Sequence, residues 1–182
     1  DHHAAMGESL PQGFALQMIQ DLRHTCGRLK VPSAVSWIRD YHDNTHKPIV
    51  VFCHHKDVLG GIHRGLMPSM KGNGLRTGII NGDVAASMRA TLVSAFQAGE
   101  LDVLLCNTMA AKEGITLTAA DTVLFVEREW VPTDEEQAED RVYRIGQESQ
   151  SVHAVYLSVS NTIDEHFDRV VEGKRQVVKA VL

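Results

Sequence analysis

Short apolar runs alternate with longer stretches of helical spacing along the chain. Residues 48–53 (PIVVFC) are uninterrupted, apolar and rich in β-branched side chains, which predicts a strand buried on both faces. Similar runs at 75–80, 101–106, 121–127 and 152–159 predict four more. Between them, Val58, Leu59, Ile62 and Leu66 mark a helix over 56–66, and Met88, Leu92 and Phe96 mark one over 85–98, stopped by Gly99. Thr133 is placed to cap a third helix, with Glu136 completing a capping box. Ile163, Phe167, Val170, Val171, Val178 and Val181 mark a closing helix over 162–181. Ahead of the first strand the pattern predicts two helices. One covers 10–29 and ends near Gly27; the other covers 34–41, with Pro32 before it and Ser33 as its cap. Residues 43–47 and 67–74 read as turn and loop, and Asn81-Gly82-Asp83 breaks the chain after the second strand. Strands alternating with helices imply an α/β fold: a parallel sheet with helices on both faces and right-handed crossovers. It forms a single domain over 10–182, and residues 1–9 read as a tag remnant or disordered lead.

Composition narrows the function. The chain has 182 residues, 43% hydrophobic and 23% charged, which excludes a disordered tail or a disulfide-stapled miniature. No apolar run approaches the roughly 18 residues of a membrane span, so no membrane partner is expected. With 18 basic and 23 acidic residues the net charge is −5, so nucleic acid cannot be held by bulk charge and must meet a local patch or a partner segment. Cys26, Cys53 and Cys106 are an odd number without paired spacing and read as reduced thiols. The 10 histidines show no chelating spacing, and the adjacent pair His54-His55 is poor geometry, so no metal site is expected.

Ligands of such sheets gather at the carboxyl ends of strands. The segment after the third strand, 107–118, is rich in small and hydroxyl residues. It suits either close backbone approach to a phosphate or a plain connection to the next element. After the fourth strand, Gln137, Arg141 and Arg144 fall at i, i+4 and i+7, one face of a helix that Gly146 ends. Two guanidiniums aimed alike suit a polyphosphate, while a solvated face paired with Glu136, Glu139 or Asp140 is the other reading. His54, His55 and Lys56 suit a phosphate contact or a solvated turn, and Trp130 reads as a packing residue at a cleft edge.

Residues 137–147, QAEDRVYRIGQ, closely resemble the last helicase motif of SNF2-family DNA translocases, a branch of superfamily 2. Residues 108–125, Glu129-Trp130-Val131-Pro132, 48–59 and 80–83 resemble other stretches of the same lobe. AEDRVYRIGQ, Ala110-Ala111 and 30–38 look most like the annealing-helicase, fork-remodelling branch. The resemblance covers roughly residues 28–178 and implies a RecA-like fold, the C-terminal motor lobe of an ATP-dependent DNA translocase. It implies that Arg144 is the arginine finger and Arg141 its partner on the γ-phosphate. Gln137, Gly114 and Thr116 would line the nucleotide side, and Thr108, Lys112 and Gly82 would face DNA phosphates. No GxxxxGK[ST] loop and no acidic metal box is present. ATP and Mg²⁺ are therefore expected to be held mainly by an N-terminal RecA-like lobe of the same parent protein, with double-stranded DNA as the other partner, and this chain alone is expected to be inactive. Some positions depart from the family: Ala111-Lys112 replaces two glycines, Glu113 an apolar residue, Thr116 a frequent Asn and Tyr143 a frequent His. The implied location is cytoplasmic, with a bacterial or phage source favoured, or nuclear in a eukaryote. The alternatives are a catalytically inactive module that binds DNA or a protein partner, and a helicase of another superfamily-2 branch.

Overall fold

The computed structural model describes residues 12–68, 74–109, 114–149 and 151–181. The elements follow in the order α1 (Gln12–Thr45), β1 (Ile49–Cys53), α2 (Lys56–Leu66), β2 (Thr77–Ile80), α3 (Ala86–Gln97), β3 (Val103–Asn107), β4 (Thr122–Phe125), α4 (Pro132–Glu139), β5 (His153–Tyr156) and α5 (Ile163–Val181). The five strands form one parallel sheet in the order β2-β3-β1-β4-β5.

Apolar runs without alternation can be satisfied only if both faces are covered. On one face Val50, Phe52, Leu104, Cys106, Val123 and Phe125 pack under α3 and α4. On the other, Ile49, Val51, Cys53, Val103, Leu105 and Leu124 pack under α1 and α2. Helix α5 lies against α1 and α4. Cys53 and Cys106 sit on neighbouring strands yet belong to opposite faces. Burial pushes the Cys106 thiol up to about 12 and the Cys53 thiol well above its ordinary value. Among the described residues, no helix is long and apolar enough to cross a membrane.

The two helices expected before the first strand are one, running without a break through Pro32. A proline inside a helix removes a backbone hydrogen bond and costs about 3 kcal/mol, so tertiary anchors must hold both sides of it. Before it, buried Lys30 pairs with Asp164 at 2.8 Å and donates to the Leu157 carbonyl at 3.2 Å. After it, Ala34 and Ile38 are fully buried. The helix ends at His46, which takes a positive φ of 53°.

Gly27 does not end this helix. It is buried within it, and an added Cβ would overlap Glu127 Oε1 and lie 3.1 Å from Val58. The capping box at Thr133 is also absent. Val131 is the N-cap, Pro132 occupies the first turn and no side chain caps the helix. A proline is favoured in that first turn, where its missing N–H costs nothing.

Gly27→Ala tests the approach of α1 to the sheet. In an open helix this change gains roughly 1 kcal/mol. Here it should destabilise by about 2 kcal/mol, because the new methyl displaces a hydrogen-bonded carboxylate. Urea denaturation measures the sign, and a stabilised variant would show that Glu127 moves aside freely.

Candidate functional site

The strap between β3 and β4 and the turn after α4 are fastened to each other. Leu117 N–H donates to the Arg141 carbonyl at 2.7 Å, just past the end of α4 at Glu139, where the N–H groups of Arg141 and Val142 already turn to Ala138 and Glu139, three residues back. Gln147 Nε2 donates to the carbonyls of Ala120 at 2.7 Å and Val142 at 3.2 Å. Arg144 Nη1 donates to Thr116 Oγ1 at 3.1 Å. Gly114 and Gly146 adopt positive φ, 61° and 101°, where the strap and the turn change direction. Leu117, Ala120 and Val142 drop into the core beneath.

The helical face expected of Gln137, Arg141 and Arg144 is thus broken. Gln137 lies exposed on α4, while Arg141 and Arg144 follow on tight turns, half-buried and exposed respectively. The structure still brings Gly114, Thr116, Arg141 and Arg144 to one place. That place is not the carboxyl edge of the sheet. The strap ends at Asp121, just before β4, where Lys47 Nζ lies 2.5 Å from the carboxylate and Ser149 donates to it at 3.3 Å. The arginine turn therefore lies toward the amino ends of β1 and β4, on the face covered by α3 and α4.

The residues expected to face DNA are dispersed. Gly82 is exposed in the turn after β2, beside an exposed Lys56–Asp83 ion pair of 2.7 Å. Thr108 is 1% exposed and points its hydroxyl at the Cys53 carbonyl, 3.4 Å away. It belongs to the β1–β3 seam and offers no surface to a phosphate. Lys112, with Ala110, Ala111 and Glu113, lies outside the described residues.

The carboxyl edge carries an ionic cluster instead. Glu127 accepts from the backbone N–H groups of His54 and His55 at 3.0 and 2.9 Å and meets His55 Nδ1 at 2.6 Å. Burial alone would raise its pKa. The hydrogen bonds and charge of His55 outweigh that and hold it below the usual carboxylate range. His54 Nδ1 lies 3.0 Å from Glu129, and this hydrogen bond raises the His54 pKa. His24 of α1 stacks on His55 with centroids 4.3 Å apart and reaches Asp57 at 2.8 Å. Trp130 packs on Phe167, centroids 4.1 Å apart.

Next to this, fully buried Glu135 at the start of α4 binds Arg128 at 2.7 Å and Arg175 of α5 at 3.1 Å. It also accepts from the Glu129 N–H at 3.0 Å. Glu172 approaches Arg128 at 2.8 Å. Tyr156, last in the ring ladder Phe52–Phe125–Tyr156, donates to Glu139 at 2.5 Å. These bonds fix both ends of α4. The sequence signal for them is VEREW, three charges following the buried strand TVLF. Their burial places them in the core rather than on a solvated loop.

The chain matches the helicase conserved C-terminal domain over residues 32–146. It is similar to the SWI/SNF-related matrix-associated actin-dependent regulator of chromatin subfamily A-like protein 1 of Xenopus tropicalis, 34% identical over 154 residues, 82% of this chain and 15% of that protein. It is also similar to the human DNA annealing helicase and endonuclease ZRANB3, at 34% identity, covering 84% of this chain and 14% of the relative. The putative ATP-dependent helicase/translocase YwqA of Bacillus subtilis is 41% identical over 96 residues, 53% of this chain and 10% of the relative. The chain thus spans about a seventh or less of the length of these curated relatives. The C-terminal part of the Fun30 ATPase domain shares the fold, with a TM-score of 0.65 at 22% identity, over 71% of this chain and 41% of that one.

Two measurements probe the ionic cluster. Glu135→Ala leaves Arg128, itself 7% exposed, without its buried carboxylate, and should cost about 3–5 kcal/mol in urea denaturation; a loss under about 1 kcal/mol would mean that Glu172 and Asp168 replace it. His54 has a raised pKa when folded, so its contribution is fully present below the ordinary value of 6.5 and is lost as pH rises through the folded value. At the acid end, Glu127 loses its contribution as pH falls through its lowered value, below 4.5. The stability gap between the unmodified chain and His54→Gln should therefore be open near and below pH 6.5 and close as pH rises through the folded value, as read from urea midpoints across pH.

Proposed function

The chain belongs to the helicase conserved C-terminal domain family, as a C-terminal lobe of the SNF2 type with a RecA-like fold, and from that premise we propose that it is the second motor lobe of an ATP-dependent DNA translocase. It works against an N-terminal RecA-like lobe and on double-stranded DNA. The observation that carries this reading is the presentation of Arg144: an exposed guanidinium on a turn whose backbone is pinned to the strap at Leu117 and Ala120. Tyr143 and Ile145 on either side of it are 68% and 104% exposed. Apolar side chains set in water beside a presented cation suit a surface that another lobe covers.

Two guanidiniums are a donor set that fits phosphate oxygens, and Thr116 lies beside them on the same side. ATP would supply the γ-phosphoryl group whose hydrolysis drives movement, and a divalent cation would be held by the other lobe. Arg144 stabilises the charge that spreads over the transferring phosphoryl, Arg141 assists from the same turn, and Gln137 on α4 orients the nucleotide. Gly114 lets the strap turn close to the phosphates. DNA contacts on this lobe are few and include the open turn at Gly82, in keeping with a net charge of −5.

The test is Arg144→Ala in the two-lobe protein. DNA-stimulated turnover should fall roughly 10³-fold, about 4 kcal/mol, with far less change in nucleotide affinity. Arg144→Lys should recover little, because an ammonium cannot reproduce the planar fork. Thermal melting should be unchanged. An early melt would make Arg144 a structural residue, and unchanged turnover in a folded variant would remove the finger assignment.

A further inference from the structure

Every backbone hydrogen bond around Arg144 fixes the path of the chain, not the direction of the side chain. Leu117 holds Arg141, Gln147 Nε2 holds Ala120 and Val142, and the Gln147 N–H closes on the Arg144 carbonyl at 3.0 Å. Beyond Cβ an arginine remains free about several torsions, and its long side chain carries about 2 kcal/mol of rotamer entropy. Among the described residues a side-chain contact restrains it: Nη1 donates to Thr116 Oγ1 at 3.1 Å. Thr116 sits on the strap one residue before the Leu117 anchor, so its hydroxyl is placed by the bond that ties the strap to the arginine turn.

We propose that Thr116 is a positioning residue for Arg144: its hydroxyl takes one guanidinium N–H and aims the remaining donors at the phosphoryl group. A guanidinium has five N–H donors, so giving one to Thr116 leaves a pair free for bidentate contact with phosphate oxygens. A threonine hydroxyl is neutral, so it directs the cation without cancelling its charge, as a carboxylate would. The inference rests on Arg144 acting in the transition state. It predicts an effect on turnover rather than on binding, since an unaimed side chain must be ordered anew for each reaction.

The experiment compares Thr116→Val and Thr116→Ser in the two-lobe protein, with and without Arg144→Ala, by steady-state DNA-stimulated ATPase and ATP affinity. Valine matches the shape of threonine without its hydroxyl. It should lower kcat roughly tenfold while KM and ATP affinity stay within about twofold. Serine should restore most of the loss. In the Arg144→Ala background, Thr116→Val should add nothing, because the side chain it aims is gone. Melting curves of every variant establish that each is folded. An unchanged kcat for Thr116→Val alongside a large loss for Arg144→Ala would overturn the positioning role and leave the finger standing. A raised KM at unchanged kcat would make Thr116 a direct nucleotide contact instead. Equal losses in both backgrounds would make the two residues independent. If Arg144→Ala is silent, the finger reading falls and the positioning role falls with it.

Discussion

The Glu135 carboxylate, wholly buried at the first turn of α4, is the contact on which the arrangement of the lobe turns. It binds Arg128, which follows β4, and Arg175, which belongs to α5, so one side chain commits the end of a central strand and two helices to each other. Charges so deeply buried are tolerated only when each has its partners. Arg128 and Arg175 lie against the Tyr156 ring, and Tyr156 in turn holds Glu139 at the far end of α4. The helix is therefore held at both ends before the chain enters the arginine turn, and the direction of that turn is inherited from the ionic cluster.

The strands were legible because their signal is local and strong. Runs such as IVVFC and VLLCN can bury both faces in no other way, and all five appear close to where the pattern places them. What was not legible depended on partners distant in sequence. Pro32 argues for a break in α1, and only Lys30 reaching Asp164 and Leu157, more than a hundred residues away, overrules it. Gly27 looks like a helix end and is a contact point for Glu127. The turn after α4 is tied to the strap by the bond from Leu117 to the Arg141 carbonyl, which no propensity scale contains.

The candidate site shows the same division. Spacing grouped Gln137 with both arginines and a hydroxyl-rich strap with a phosphate-binding role, and the strap and the arginine turn do meet. The strap and the arginine turn meet away from the carboxyl strand ends, where the general rule places a crevice. At that edge Glu129 and Glu127 hold His54 and His55, and His24 stacks on His55. Thr108, at the start of the strap, is drawn into the seam there, while Thr116, at its other end, stays near the surface.

The placement of the cysteines has a practical meaning. Cys53 and Cys106 are neighbours across β1 and β3 but open onto opposite faces, both fully buried, and Cys26 is buried in α1. Only a thiolate attacks, and burial keeps Cys53 and Cys106 protonated. These two thiols pack as hydrocarbon does. While the lobe is folded they are shielded from thiol reagents, and a cysteine introduced at the open turn beside Gly82 would be an exposed handle for a fluorophore.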